Sequence, residues 1–188
     1  MISKLTSIAL AATALSLGGC MTTTPAGEPG LSYVGGAAMY PTKTIVENAV
    51  NSPDHTTLVA AVKAAGLVDT LSGAGPFTVF APTNDAFAKL PAGTVDTLLR
   101  PENKATLQSV LTYHVVPGRV TAADLMGLIS AGGGSARLTT VQGATLTAQM
   151  MGDRIMLVDG KGGMSHVTQG DVLQSNGVIH VVDNVLMS

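Results

Sequence analysis

The segment from Gly170 to Leu186 constrains the fold of this 188-residue chain more than any other. Apolar runs flank Asn176-Gly177 within it, and both of these residues tolerate the positive φ angle that a tight primed turn requires. Val178, His180 and Val182 alternate with the residues of the opposite face, which is the two-residue period of a β-strand. The sequence therefore predicts a β-hairpin that closes the domain.

Helical signals precede residue 114, and most strand signals follow it. Leu58, Ala61, Val62 and Ala65 share one helical face, and Gly66 provides a helix stop. Further helices are predicted near 44–50, 67–71, 84–90, 95–99 and 105–113, and strands at 77–81, 137–141, 144–149, 154–158, 164–168 and 172–174 before the closing strand. This order predicts an α+β domain whose N-terminal helices pack on a curved sheet from the C-terminal half.

The first residues are typical of an export signal. Lys4 precedes a mostly apolar run from Leu5 to Leu17, which is too short to span a bilayer and suits a secretory signal peptide. Small residues then lead to Cys20, the only cysteine, as in a bacterial lipobox. We expect removal of residues 1–19 and acylation of Cys20, with ordinary secretory cleavage as the alternative. More than one acyl chain would anchor the protein stably, in the outer membrane if the cell is Gram-negative.

Residues 21–40 are rich in Thr, Gly, Pro and Ala, which predicts a flexible tether between Cys20 and a domain spanning residues 41–188. Removal of the signal peptide takes away Lys4 and no acidic residue. Nine of the ten basic residues and all twelve acidic residues then remain, which gives a net charge of −3. This balance argues against a nucleic-acid partner. With three Phe, three Tyr and no Trp, the core must be aliphatic. We expect a monomer.

The sequence predicts no catalytic residue, cofactor or metal site. His55 lies among polar residues and is predicted to be solvated, whereas His114 and His180 alternate with valines and are predicted to be semi-buried on strands. His166 has no acid or cysteine at ligand spacing, and no histidine pair has the helical spacing of a zinc motif. A Gly-x-Ser-x-Gly nucleophile elbow is also absent from the sequence.

Three segments resemble, in order, the signatures of the fasciclin-domain family. They are Phe77–Phe87 (FTVFAPTNDAF), Leu111–Gly118 (LTYHVVPG) and the closing segment Gly170–Leu186. The similarity extends over roughly residues 41–187. It implies the family's fold, with helices on a β-wedge, and a non-catalytic adhesion module.

The resemblance also implies candidate partner-binding residues. In animal members, an Asp-Ile dipeptide before the closing hairpin has been assigned to integrin binding, and the matching residues here are Asp171 and Val172. The Tyr113-His114 segment has likewise been linked to adhesion in relatives. The alternative is that Asp171 only ends a strand and that Tyr113 and His114 belong to the core.

Two functions remain open from the sequence. The first is an envelope-anchored module that mediates adhesion or binds a protein or glycan partner. The alternative is an envelope carrier of a small apolar ligand, because methionines can line an adaptable apolar groove. The candidate groove residues are Met126, Met150, Met151, Met156 and Met164.

Overall fold

The computed structural model describes residues 31–187. In chain order, the elements are β1 Ser32–Val34, β2 Ala37–Met39, α1 Ile45–Asn51, α2 Thr56–Ala65, α3 Val68–Ser72, β3 Phe77–Pro82, α4 Asn84–Ala88, α5 Thr94–Leu98, α6 Lys104–Tyr113, β4 Val115–Pro117, α7 Ala122–Ala131, β5 Ser135–Thr139, β6 Thr145–Met151, β7 Arg154–Val158, β8 Met164–Gln174 and β9 Gly177–Val182. Short 3₁₀ turns, Pro53–His55 and Pro101–Asn103, precede α2 and α6. None of the helices described is both long and apolar enough to cross a bilayer.

Seven strands form one curved sheet in the order β4-β3-β9-β8-β7-β6-β5. Only β3 and β9 pair in parallel; the other neighbours are antiparallel. The two ends of the sheet approach each other, since the N–H of Val141 donates to the carbonyl of Val115 at 2.7 Å. The predicted α+β class, with helices on a curved sheet, is confirmed.

The sheet separates two apolar cores. Successive residues of β3 contribute to both, because side chains alternate between the faces of a strand. The core between the sheet and the N-terminal helices includes Ile45, Leu58, Val79, Leu111 and Ile179. The core inside the curl, where α7 packs, includes Phe80, Leu125, Ile129, Leu146 and Leu157.

The prediction of a flexible tether through residue 40 is wrong for its last part. Residues 32–39 form the β1–β2 hairpin, and the side chains of Val34 and Met39 are buried in the core between the sheet and the N-terminal helices. Gly35 and Gly36, both at positive φ, form the turn. Each strand has only three residues, which is too few to show a periodic pattern. The folded region therefore starts before residue 41, while the predicted signal peptide, Cys20 and tether residues 20–30 lie outside the described residues.

The closing hairpin is present, but its turn differs from the predicted one. Gln174 pairs with Gly177, so Ser175 and Asn176 form the turn, and neither has a positive φ angle. Asn176 instead acts through its buried side chain, whose Oδ1 accepts from the N–H of Ile45 at 3.0 Å. Its Nδ2 donates to the carbonyls of residues 71 and 73, at 2.8 and 3.0 Å. The side chain thus fastens the hairpin to α1 and to the end of α3.

Gly177 is required by a close approach between strands. A Cβ at this position would lie 2.0 Å from the carbonyl oxygen of Phe77, the first residue of β3. Any side chain would therefore push the parallel pair β3–β9 apart.

Candidate functional site: the Asp171 bulge and its cleft

Asp171 lies in an irregular part of β8. The pairing of β8 with β9 shifts register between Val167 and Gln169 and again between Gln169 and Val172. Within the second shift, Asp171 has a φ of 57° and is the only non-glycine residue with positive φ in the described part of the chain. Asp adopts this left-handed conformation more readily than most residues. We call residues 167–171 the bulge.

The exposed carboxylate of Asp171 is tied to the start of α7. Its Oδ1 accepts from the N–H of Ala122, the first residue of that helix, at 2.7 Å. A helix leaves its first N–H groups without intrahelical partners and carries partial positive charge there, so a carboxylate is favourable. Asp171 therefore has a local structural role in addition to any binding role.

A second acid serves the same helix end. Thr121 and Asp124 form a capping box, in which the N–H of Asp124 donates to Thr121 Oγ1 at 3.2 Å and the N–H of Thr121 donates to Asp124 Oδ2 at 2.9 Å. The backbone and side-chain hydrogen bonds from Thr121 lower the pKa of Asp124. Two carboxylates thus lie at the N-terminus of α7.

The side chain of His180 on β9 contacts the backbone of the bulge. Its Nε2 donates to the carbonyl of Val120 at 2.8 Å, and its Nδ1 accepts from the N–H of Asp171 at 3.4 Å. The ring stacks on Phe80, with 5.6 Å between the centroids. Burial lowers the pKa of His180, so the neutral ring that these hydrogen bonds need is favoured.

The other three predicted partner-binding residues are buried. Val172 is 0 % exposed, Tyr113 is 0 % exposed and His114 is 2 % exposed. Tyr113 Oη donates to the carbonyl of Thr145 at 3.1 Å and accepts from the N–H of Gly160 at 3.0 Å. These three side chains are therefore not at the surface of the folded domain, and only Asp171 of the four is exposed.

His114 fastens the C-terminal end of the described chain. It follows α6 as its C-cap residue and does not lie on a strand as predicted. Its Nδ1 donates to the carbonyl of Val110 at 2.7 Å, and its Nε2 accepts from the N–H of Leu186 at 2.9 Å. Burial lowers the pKa of His114 to about 4, so the ring is neutral at neutral pH.

The prediction that His55 is solvated is wrong. Its side chain is buried beside Val34 and Met39 of the β1–β2 hairpin. Nδ1 lies 2.9 Å from Ser52 Oγ, and the backbone of Ala81 also interacts with the ring, although Nε2 makes no hydrogen bond of good geometry within residues 31–187. Burial lowers the pKa of this ring too. Because residues 21–40 were predicted to form a flexible tether, no strand was expected there to cover the side chain of His55.

Asn84, in the first signature segment, caps a helix other than its own. Its Oδ1 accepts from the N–H of Thr57 in α2 at 3.1 Å, and its Nδ2 donates to the carbonyl of Pro53 at 2.8 Å. Thr83 caps α4 through a 3.3 Å hydrogen bond from the N–H of Ala86. Like Tyr113, His114 and Asn176, these signature residues connect elements of the fold.

An open cleft lies beside the bulge. Strands β7 and β8 pair only from Met156 with His166 to Val158 with Met164; beyond this point β8 separates from β7 and pairs with β9. The resulting opening has a volume of about 440 Å³. Its lining residues are Ala122 and Met126 of α7, Asp153, Arg154 and Ile155 at the start of β7, and Val167, Thr168 and Gly170 of the bulge. The strand pattern of the sequence did not predict this cleft, although a glycine such as Gly170 within such a pattern is a bulge signal.

The apolar cavities are small. One, of about 40 Å³, lies between α1, α2 and β3, and a neighbour of about 20 Å³ contacts His55. A benzene-sized guest needs roughly 150 Å³. None of the five candidate methionines lines either cavity, and of the five only Met126 lines the cleft, so these three openings do not form a common methionine groove.

No group of three or more His, Cys, Asp or Glu side chains in residues 31–187 is placed to hold a metal ion. The nearest acid–histidine contact is His166 with Asp183, at 3.3 Å between Nδ1 and Oδ2. That pair joins β8 to the chain after β9.

Comparisons with known proteins agree with the fold. The family model of the fasciclin domain matches residues 53–188. Protein sll1483 of Synechocystis sp. is 49% identical over 83% of this chain and 79% of its own length. The cell surface glycolipoprotein MPB83 of Mycobacterium bovis is 36% identical over 90% of this chain and 70% of its own length.

A solved structure shows the same fold. It is a FAS1 domain pair from the insect cell adhesion molecule Fasciclin I, with a TM-score of 0.68 and 22% identity over 78% of this chain. This chain spans about half of that pair, 51% of its length.

Proposed function

Because the chain belongs to the fasciclin-domain family, we propose that it is a non-catalytic interaction module, exported and anchored at the cell envelope, whose domain binds a protein or glycan partner. The observation that carries the proposal is the exposed carboxylate of Asp171 beside an open cleft. Tyr113, His114 and His180 are buried in internal hydrogen bonds, which favours binding over catalysis. The surface location named for the mycobacterial relative supports export.

Anchoring would act through an acylated Cys20, with the tether holding the monomeric domain away from the membrane. The test is the Cys20→Ser variant of the full chain, which should move from the membrane to the soluble fraction. Thr22→Ser, a hydroxyl-conserving change beyond the cleavage site, is the matched control and should remain membrane-bound. A Cys20→Ser protein that stays on the membrane would show a different anchor.

The binding function is tested in the source cells. A strain lacking the protein should attach less to surfaces or to other cells, and re-expression of the wild type should restore attachment. Soluble Cys20→Ser protein, added in excess, should compete with the anchored form. Attachment that is unaffected by deletion would contradict the adhesion role.

A second candidate function is the carriage of a small apolar ligand. The two cavities between α1, α2 and the sheet support it. A ligand would have to move these helices outward, because small-ligand sites occupy about 300–1,000 Å³. The native mass of protein purified from its own envelope would exceed the denatured mass if a ligand were present. Equal masses would leave the interaction module as the supported function.

A further inference from the structure

We propose that the cleft between β7 and β8 binds an extended peptide segment of the partner by strand addition. This inference rests on the proposed function, which it narrows to a protein partner and a defined site. The observation behind it is that the pairing of β7 with β8 stops at Met156 and His166.

The two walls of the cleft are strand edges without a strand between them. Arg154 and Ile155 pair with β6 on one side, but the β7–β8 ladder does not reach them. If the ladder continued, Ile155 would face Val167 and Arg154 would face Thr168. Val167 instead pairs with β9, on its other side. Each wall therefore presents backbone groups toward the cleft, the arrangement that an added strand uses for its main-chain hydrogen bonds.

The floor of the cleft is suited to a side chain of an added strand. Ala122 and Met126 of α7 form this floor, and Met126 remains 42 % exposed. Methionine adapts its shape to different apolar partners. Gly170 allows the bulge to approach α7 and His180 closely, because a Cβ there would lie 3.3 Å from Ala122 Cβ and 3.4 Å from His180 Nδ1. A peptide in this position would direct one side chain onto Met126 and the next one outward, because side chains alternate along a strand.

The charges at the rim favour a basic residue in the peptide. Asp153 and Arg154 both lie at one wall and offset each other. Asp171, which follows the lining residue Gly170 and whose Oδ1 accepts from the N–H of Ala122, adds one further negative charge beside the cleft. The occupant is therefore an extended peptide with an apolar side chain for the floor and a Lys or Arg side chain for the acidic rim. Charge complementarity of this kind directs register and specificity.

The test uses the full chain carrying Cys20→Ser and a library of random twelve-residue peptides. Selection should recover peptides that combine apolar and basic residues. Hydrogen exchange with a recovered peptide should slow at residues 154–155 and 167–168. Met126→Lys should weaken peptide binding at least tenfold. Leu128→Lys, on the same helix and 47 % exposed but outside the cleft, should bind as the wild type does.

Each contrary result has a distinct meaning. Recovery of no peptide, binding that survives Met126→Lys, or protection confined to other residues would overturn the cleft proposal. Binding of the same protein to a glycan array without any peptide would also overturn it, while the envelope-module function would stand. Peptide binding in cells whose attachment is unaffected by deletion would instead support the cleft and contradict adhesion.

Discussion

Strand β8 meets its neighbours in two contrasting ways. Its last residues form the closing hairpin with β9, where Gln174 Oε1 accepts a hydrogen bond from Asn48 Nδ2 and Asn176 bonds to three backbone groups. A few residues earlier, the bulge loses register with β9 and separates from β7. Buried polar groups demand satisfied partners, whereas exposed ones can bond to water or a ligand. Stability is thus concentrated at the hairpin, and the surface available for binding lies at the bulge.

The largest expected effect tests the hairpin side of this contrast. Asn176→Ala removes three hydrogen bonds and leaves the buried N–H of Ile45 without its acceptor. At about 1–3 kcal/mol for each unsatisfied buried group, we expect a loss of about 4 kcal/mol in the free energy of unfolding, measured by urea denaturation. Ser175→Ala, in the same turn but exposed, should cost less than about 0.5 kcal/mol. Similar losses in both variants would show that the side chain of Asn176 is not the fastening element.

The next effect is a loss of stability in acid, caused by buried histidines. The pKa of His114 is about 4 in the folded protein and 6.5 in its ordinary range, so the unfolded chain takes up the proton first. Stability should be constant above pH 6.5 and should fall between pH 6.5 and 4 by about 3 kcal/mol from this residue, at 1.36 kcal/mol for each pH unit. Burial lowers the pKa of His55 and His180 as well, so they add in the same direction.

Denaturation at pH 7.5, 6, 5 and 4.5 measures this slope. His114→Gln, whose amide can donate and accept, should have a shallower slope than the wild type between pH 6.5 and 4. An unchanged slope would assign the acid sensitivity to other groups.

These two predictions depend on contacts that the sequence could not supply. Asn176 bonds to residues 45, 71 and 73, which lie more than one hundred positions earlier, and alternation carries no information on such partners. By contrast, β7 was predicted at its observed bounds, 154–158. Its buried residues alternate with more exposed ones, and turn residues flank it. The β1–β2 hairpin was missed because three-residue strands carry no period, and the burial of His55 was missed with it.

The site was predictable only in part. Of the four residues that the resemblance identified, Asp171 is exposed, whereas packing buries Val172, Tyr113 and His114. Signature residues such as Asn84, His114 and Asn176 connect elements of the fold through hydrogen bonds. The cleft depends on where β8 leaves β7, and strand register is not visible in the pattern of one strand.

A smaller effect separates the two roles of Asp171. Asp171→Ala removes the acceptor for the N–H of Ala122 and places Ala at a φ of 57°, so we expect a loss of about 1–2 kcal/mol in unfolding free energy. Asp171→Asn retains an acceptor and tolerates this conformation, and should cost about 0.5 kcal/mol. Attachment tests therefore need Asn, since Ala would confound binding with stability.

If the carboxylate contacts a partner, Asp171→Asn should weaken attachment by source cells while its melting temperature stays close to the wild type. Attachment equal to the wild type would leave Asp171 with the α7 cap as its role. The cleft proposal would then depend on Met126 and on the open strand edges.

The smallest expected change in stability belongs to the cleft floor. Met126→Lys and Leu128→Lys both replace partly exposed apolar side chains on α7, and each should change the free energy of unfolding by less than about 0.5 kcal/mol. Urea denaturation of the two variants, side by side, measures this difference. If Met126→Lys destabilised the protein much more than Leu128→Lys, Met126 would be part of the packed core. Equal stabilities, together with a loss of peptide binding in Met126→Lys alone, would place recognition at the cleft and separate it from the contacts that stabilise the fold.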